Sequence, residues 1–117
     1  MKGIPVVIIA KGHNGTATLD RGFVTIKRSG FLARATVGKG DKRIPVRHIT
    51  GVQIKPAGRL VNGFIQFTVP GGNERRSAFG SQTHTAASDE NSVVFTRSQQ
   101  AAFEALRDAI EQAMVAA

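Results

Sequence analysis

The sequence predicts a mainly β domain of about seven short strands, arranged as a sandwich or barrel and closed by one C-terminal amphipathic helix. Three observations predict it. Short runs of Val, Ile, Phe and Thr alternate with polar residues along the first four-fifths of the chain. Gly, Asn-Gly and Pro-Gly punctuation separates these runs at the spacing of a sandwich or barrel. From Ser98 onward the hydrophobic period changes from two to about 3.6.

The first run, Ile4–Ala10, reads as a buried strand. It is seven residues long, contains Pro5 and ends at Lys11 without a small-x-small cleavage site, so it is expected to be neither a signal peptide nor a membrane span. Asn14-Gly15 turns the chain into Thr16–Asp20, a short alternating run, and Asp20-Arg21-Gly22 turns it again into Phe23–Arg28. Ser29-Gly30 precedes Phe31–Val37, and GKGDKR is a charged loop tip. Ile44–Val46 is a short strand, placed at a sheet edge by Pro45. His48-Ile49-Thr50 is read as a corner, and Val52 and Ile54 alternate with Gln53 and Lys55 in the strand that follows.

Gly58 and Asn62-Gly63 flank a loop before Phe64–Val69, where Ile65, Phe67 and Val69 share one face. Pro70–Asn73 is a turn signal, Arg75–Phe79 a further strand candidate, and residues 80–91 a long polar loop leading to Ser92–Thr96. In the last element Phe103, Leu106, Ile110 and Met114 fall on one helical face. Thr96 with Gln99 fits a capping box, Ser98 being the rival N-cap. Arg107 and Glu111 have the spacing of an i, i+4 ion pair. The 117 residues are expected to form one domain, 1–117, with strands over about 4–96 and the helix over about 98–115.

The chain has no cysteine, which removes disulfides, thiolate metal sites and a cysteine nucleophile, and fits a reducing, cytoplasmic setting. His13, His48 and His84 are far apart in sequence and in no metal-binding spacing. There is no G-x-S-x-G elbow and no phosphate loop, and Asp89-Glu90 are neighbours in a polar loop. No catalytic residue, metal or other cofactor, or small-molecule substrate is therefore expected, and the chain reads as non-enzymatic.

The charge is uneven. Residues 1–47 carry ten Lys/Arg against two Asp, whereas residues 80–117 carry two Arg against five acids, within a net charge of +8. Lys27, Arg28, Arg34, Lys39, Lys42, Arg43 and Arg47 are interrupted only by Asp41. This cluster is a candidate polyanion site, for nucleic acid or for anionic lipid. The competing reading is the solvated face of a small barrel. All seven aromatics are Phe, and Phe67, Phe95 and Phe103 have core assignments, which leaves few rings for base stacking. In RIPVRHITGVQIKPAG, Ile44, Val46, Ile49, Val52 and Ile54 are expected inward, with Arg47, Gln53 and Lys55 on the wet side. Phe64 and Val94 are out of phase with their inward neighbours, and Val115-Ala116-Ala117 ends the helix apolar. An exposed apolar strip of this kind would favour a protein partner or self-association, unless the second sheet face buries it.

The motifs KGHNGTATLDRGFVTIKRSG, KRIPVRHITGVQIKPAG, GFIQF, DENSVVF and AFEALRDAIEQ, in that order, resemble bacterial pleckstrin-homology-like domains, in particular an actinobacterial and actinophage family of undetermined function. The likeness runs from Lys11 to Gln112. It implies a strongly bent seven-stranded antiparallel sheet or barrel capped by the last helix, and a binding role rather than catalysis. The phosphoinositide-binding type keeps a Lys-x(n)-Lys/Arg-x-Arg pattern, whose Lys/Arg-x-Arg step is missing between Arg28 and Arg34. A protein partner or homo-oligomer is thus the leading expectation, with nucleic acid next and membrane lipid third.

Overall fold

The computed structural model describes residues 7–28, 42–70 and 90–116. Seven strands lie within these residues: β1 (Ile8–Lys11), β2 (Gly15–Asp20), β3 (Phe23–Arg28), β4 (Lys42–Pro45), β5 (Gly51–Lys55), β6 (Gly63–Thr68) and β7 (Ser92–Phe95). A 3₁₀ turn, Val46–His48, joins β4 to β5. A second, Arg97–Gln99, leads into helix α1, Gln100–Ala116. The strand candidates Phe31–Val37 and Arg75–Phe79 lie outside the described residues.

The strands form two antiparallel sheets, one in the order β1-β2-β3-β4 and the other β5-β6-β7. Among the described residues no strand ladder joins them into a closed barrel, and the seams are made by individual contacts. The sequence dictates the local geometry of the first sheet. Asp20 opposes Phe23, leaving Arg21 and Gly22 as a two-residue turn with φ of 54° and 81°. Two consecutive positive φ values describe a type I′ turn, whose twist matches that of the flanking strands. Val46 N then donates to Gly22 O at 2.8 Å, fixing the β4–β5 corner against this hairpin.

The alternation expected from sequence sets the core. Ala10, Ala17, Leu19, Val24, Ile26 and Ile44 from the first sheet meet Ile65, Phe67, Val93 and Phe95 from the second. The stripe Phe103, Leu106 and Ile110 of α1 is wholly buried among them, with Met114 half-buried behind it. Phe95 and Phe103 stack with ring centroids 4.8 Å apart. Each such side chain contributes roughly 1.5–3 kcal/mol of apolar burial, which explains why the helix closes this core rather than standing free.

Four expectations need correction. The opening strand is not buried throughout: among the described residues β1 pairs with β2 alone, only Ala10 of Ile8–Lys11 is fully inside, and Ile9 is 55% exposed. The strand expected at Ile44–Val46 runs Lys42–Pro45, because Lys42 and Arg43 pair with Ile26 and Thr25. The corner consequently begins at Val46 rather than His48. Phe64 and Val94 do not form an exposed strip; both are buried as a separate pair on the face of the second sheet turned from the main core. Finally, Arg107 turns to its neighbour Asp108 (Nε–Oδ1 3.1 Å) rather than to Glu111. Thr96, not Ser98, opens the helical segment: Gln99 Oε1 accepts from Thr96 N at 2.8 Å.

Candidate functional site

The predicted cationic cluster divides when it folds. Arg28, the last residue of β3, has inward parity, and its NH1 donates to Ser92 O at 2.6 Å, linking the first sheet to β7. That guanidinium serves the fold. Lys42 Nζ lies 3.0 Å from Glu90 Oε2, a pair exposed enough to contribute about 0–1 kcal/mol. Arg43 lies over the Phe23 ring, with Cζ 4.1 Å from the centroid, so its cation is held flat along the sheet. Arg47 is exposed in the 3₁₀ turn. Arg34 and Lys39 lie outside the described residues.

What remains together is a set on the outward face of the first sheet. Register places Lys11, Thr16 and Lys27 in one cross-strand row, and Ile9, Thr18, Thr25 and Arg43 in the next. Lys11, Lys27 and Arg43 are all exposed. Lys27 and Arg43 are diagonal neighbours in this register, a spacing of about 7–8 Å. The sequence window 27–47 missed Lys11. The signal that finds it is register: once the Asn14-Gly15 hairpin is accepted, Lys11 and Lys27 both oppose Thr16. A groove of about 430 Å³ borders Lys42, Arg43, Pro45, His48, Val69 and Pro70. Among the described residues, no three of His, Asp and Glu come together as metal ligands.

The second candidate surface is the outer edge of β1. Among the described residues β1 pairs with β2 alone. Ala10 faces the core under α1, while Val7 and Ile9 turn apolar side chains to solvent. The corresponding outer strand of the second sheet is already engaged. Val94 O accepts from His13 N at 2.7 Å, and Val94 N donates to Asn14 Oδ1 at 2.8 Å, so the β1–β2 turn occupies the β7 backbone.

The third is the β5–β6 connection. Gly58 N donates to Val61 O at 2.8 Å, closing a tight loop, and Ala57 N donates to Gln100 Oε1 at 2.8 Å, tying it to the first turn of α1. On this anchored loop Leu60 is 97% exposed and Val61 is about half exposed. Among the described residues no helix is long and apolar enough to cross a membrane.

Comparison with known proteins adds the family. No curated protein and no solved structure matches the chain. Residues 17–111 match the family described as a domain of unknown function, DUF4429, a span that takes in β3 to β7 whole, most of β2 and most of α1. The chain belongs to the DUF4429 family.

Proposed function

We propose that the chain is a non-enzymatic protein-binding module of pleckstrin-homology-like build that docks an extended partner segment along β1. The build is supported by two antiparallel sheets meeting at a tight corner, with one C-terminal helix over the shared core. A bacterial or phage setting rests on the sequence resemblance alone, and a cytoplasmic one on the cysteine-free composition. The observation that carries the binding role is the β1 edge, which among the described residues pairs with β2 alone and carries Ile9 at 55% exposure. A partner strand gains main-chain hydrogen bonds there, and Val7 and Ile9 supply apolar contacts. Lys11 closes the edge at one end, because a cation on an outer strand opposes unlimited sheet extension.

A second copy of the chain is the first partner to try. Sedimentation equilibrium from about 10 to 500 µM covers the range in which weak pairing of this kind is read. Self-association that Ile9→Lys abolishes, with slowed amide exchange at residues 8–10 in the associated form, is the expected result. Association that survives Ile9→Lys removes β1 as the contact edge.

One observation favours a second reading, binding of nucleic acid on the outward face. Lys11, Lys27 and Arg43 share that face with Thr16, Thr18 and Thr25, and none of these six is an acid. Anisotropy of a labelled DNA duplex at about 50 and 200 mM salt tests it, since phosphate contacts weaken by orders of magnitude over that range. No binding at the lower salt removes this reading.

A further inference from the structure

Among the described residues β4, like β1, pairs with a single neighbour, here β3. Val46 N donates to Gly22 O at 2.8 Å, and hydrogen-bonded pairs alternate along an antiparallel ladder. In the register of β3 and β4, Lys42 and Ile44 therefore turn their main-chain groups to β3, while Arg43 and Pro45 turn theirs away. Pro45 has a carbonyl but no N–H to offer, so this edge can pair over a short length only. The groove of about 430 Å³ lies along it. Its lining takes in both parities of β4, Lys42 and Ile44 as well as Arg43 and Pro45, which places it at the strand edge rather than over one face.

The second wall comes from the other side of the corner: His48 in the 3₁₀ turn, with Val69 and Pro70 just past β6. Both walls are fixed. The Val46–Gly22 bond ties the corner to the β2–β3 turn, and Thr50 N donates to Thr68 O at 2.8 Å, holding the end of β6 beside it. Val69 packs against the main core. A groove already formed spares its ligand the cost of ordering it. Among the described residues no acid lines it. Lys42 is taken up by Glu90, which leaves Arg43, held along the sheet by the Phe23 ring, and the exposed His48 to meet a ligand. Pro45, Val69 and Pro70 supply the apolar surface between them.

We infer that this groove takes an extended acidic peptide segment. The segment pairs with the Arg43 main chain, as a strand added to a sheet edge does. A glutamate or aspartate directly opposite Arg43 shares its face and meets the guanidinium, and the residues flanking it turn apolar side chains to Val69 and Pro70. Charge complementarity selects the occupant: the lining is cationic and apolar, without a carboxylate among the described residues. The contact is short and its affinity correspondingly weak. No residue of β1 takes part, so the inference does not depend on docking along β1.

Anisotropy of a fluorescein-labelled peptide alternating valine with glutamate tests it, with the full chain titrated to about 500 µM. Every protein in the series carries Ile9→Lys, which closes the β1 edge, so docking there neither adds to the signal nor removes it. Binding is expected, weakened about tenfold or more by His48→Glu and by Arg43→Glu, and absent for a peptide alternating valine with lysine. Slowed amide exchange at Arg43 in the bound form is expected from the main-chain pairing. Both substituted side chains are exposed, and circular dichroism checks that the variants are folded. No binding of the glutamate peptide, equal binding of the two peptides, or binding that survives both substitutions overturns the inference. So does an equal loss on Lys11→Glu, because the net positive charge would then attract the peptide without the groove. Self-association without peptide that His48→Glu disperses gives the groove to a second copy and overturns the acidic-peptide assignment. The β1 reading fails by a different result, association of the chain that survives Ile9→Lys.

Discussion

A methyl group at Gly63 probes the junction between β5, β6 and β7 more sharply than any core truncation. Built on the existing backbone, a Cβ at Gly63 lies against Lys55 O and 2.7 Å from both Ala57 N and Phe95 Cε1. Two of these three atoms are backbone, and neither can rotate away. Lys55 is held in register opposite Phe64, Ala57 is bonded to Gln100, and the Phe95 ring is stacked on Phe103. Relief requires β5 or β7 to move relative to β6. Overpacking a rigid site costs about 1–3 kcal/mol, and the backbone neighbours put Gly63→Ala at the upper end, about 3 kcal/mol. For a domain of this size each kcal/mol shifts Tm by about 4 °C, so a fall of about 12 °C is expected. Gly58→Ala, in the same connection, is the control. No atom lies within 4 Å of its Cβ, and its gain from a stiffer unfolded chain is about 0.4–1 kcal/mol. The chain has neither Trp nor Tyr, so unfolding is followed by far-ultraviolet circular dichroism. A Gly63→Ala protein melting within about 3 °C of wild type would refute the reasoning, because the junction would then be yielding rather than rigid.

Two further outcomes follow from single contacts. Gln99→Ala removes the acceptor for Thr96 N and is expected to cost about 1 kcal/mol in urea unfolding, whereas Ser98→Ala leaves that bond in place. Ser92 is fully buried and its Oγ has no hydrogen-bond partner among the described residues, while its carbonyl takes the Arg28 bond. Ser92→Ala is therefore expected to be neutral or stabilising by up to about 1 kcal/mol, and a clear loss in Tm would show that the hydroxyl is engaged.

Hydrophobic period made most of the architecture legible. Thr16–Asp20, Phe23–Arg28, Val52–Lys55 and Phe64–Val69 all fall on strands, give or take a residue, and the Phe103-Leu106-Ile110 stripe is the buried face of α1. Residues whose partners are distant in sequence were less legible. Arg28 looked like one more surface cation because its acceptor, Ser92 O, is 64 residues away. Phe64 and Val94 looked unpartnered because they face each other across β6 and β7, a pairing that no local window contains. Alternation names two faces of a strand, but whether the second face is wet depends on the neighbouring strand. The opening apolar run shows the converse: composition marked it as interior, and alternation along β1 turns Ile9 to the outward face in one row with Thr18, Thr25 and Arg43.

The contacts of the β1–β2 turn with Val94 also bear on the order of events during synthesis. The hairpins within residues 8–28 are local and close in microseconds once made. Their seam to the rest of the molecule, His13 and Asn14 to Val94 and Arg28 to Ser92, needs residues that leave the ribosome much later. At about 5–20 residues per second, the 66 residues between positions 28 and 94 take about 3–13 s. β5 and β6 emerge during that interval, but β7 and the helix, which complete the cover over the inner faces of β1–β3, come last. The nascent chain thus spends seconds with its core partly uncovered, and the final strand and helix close the domain in one late step.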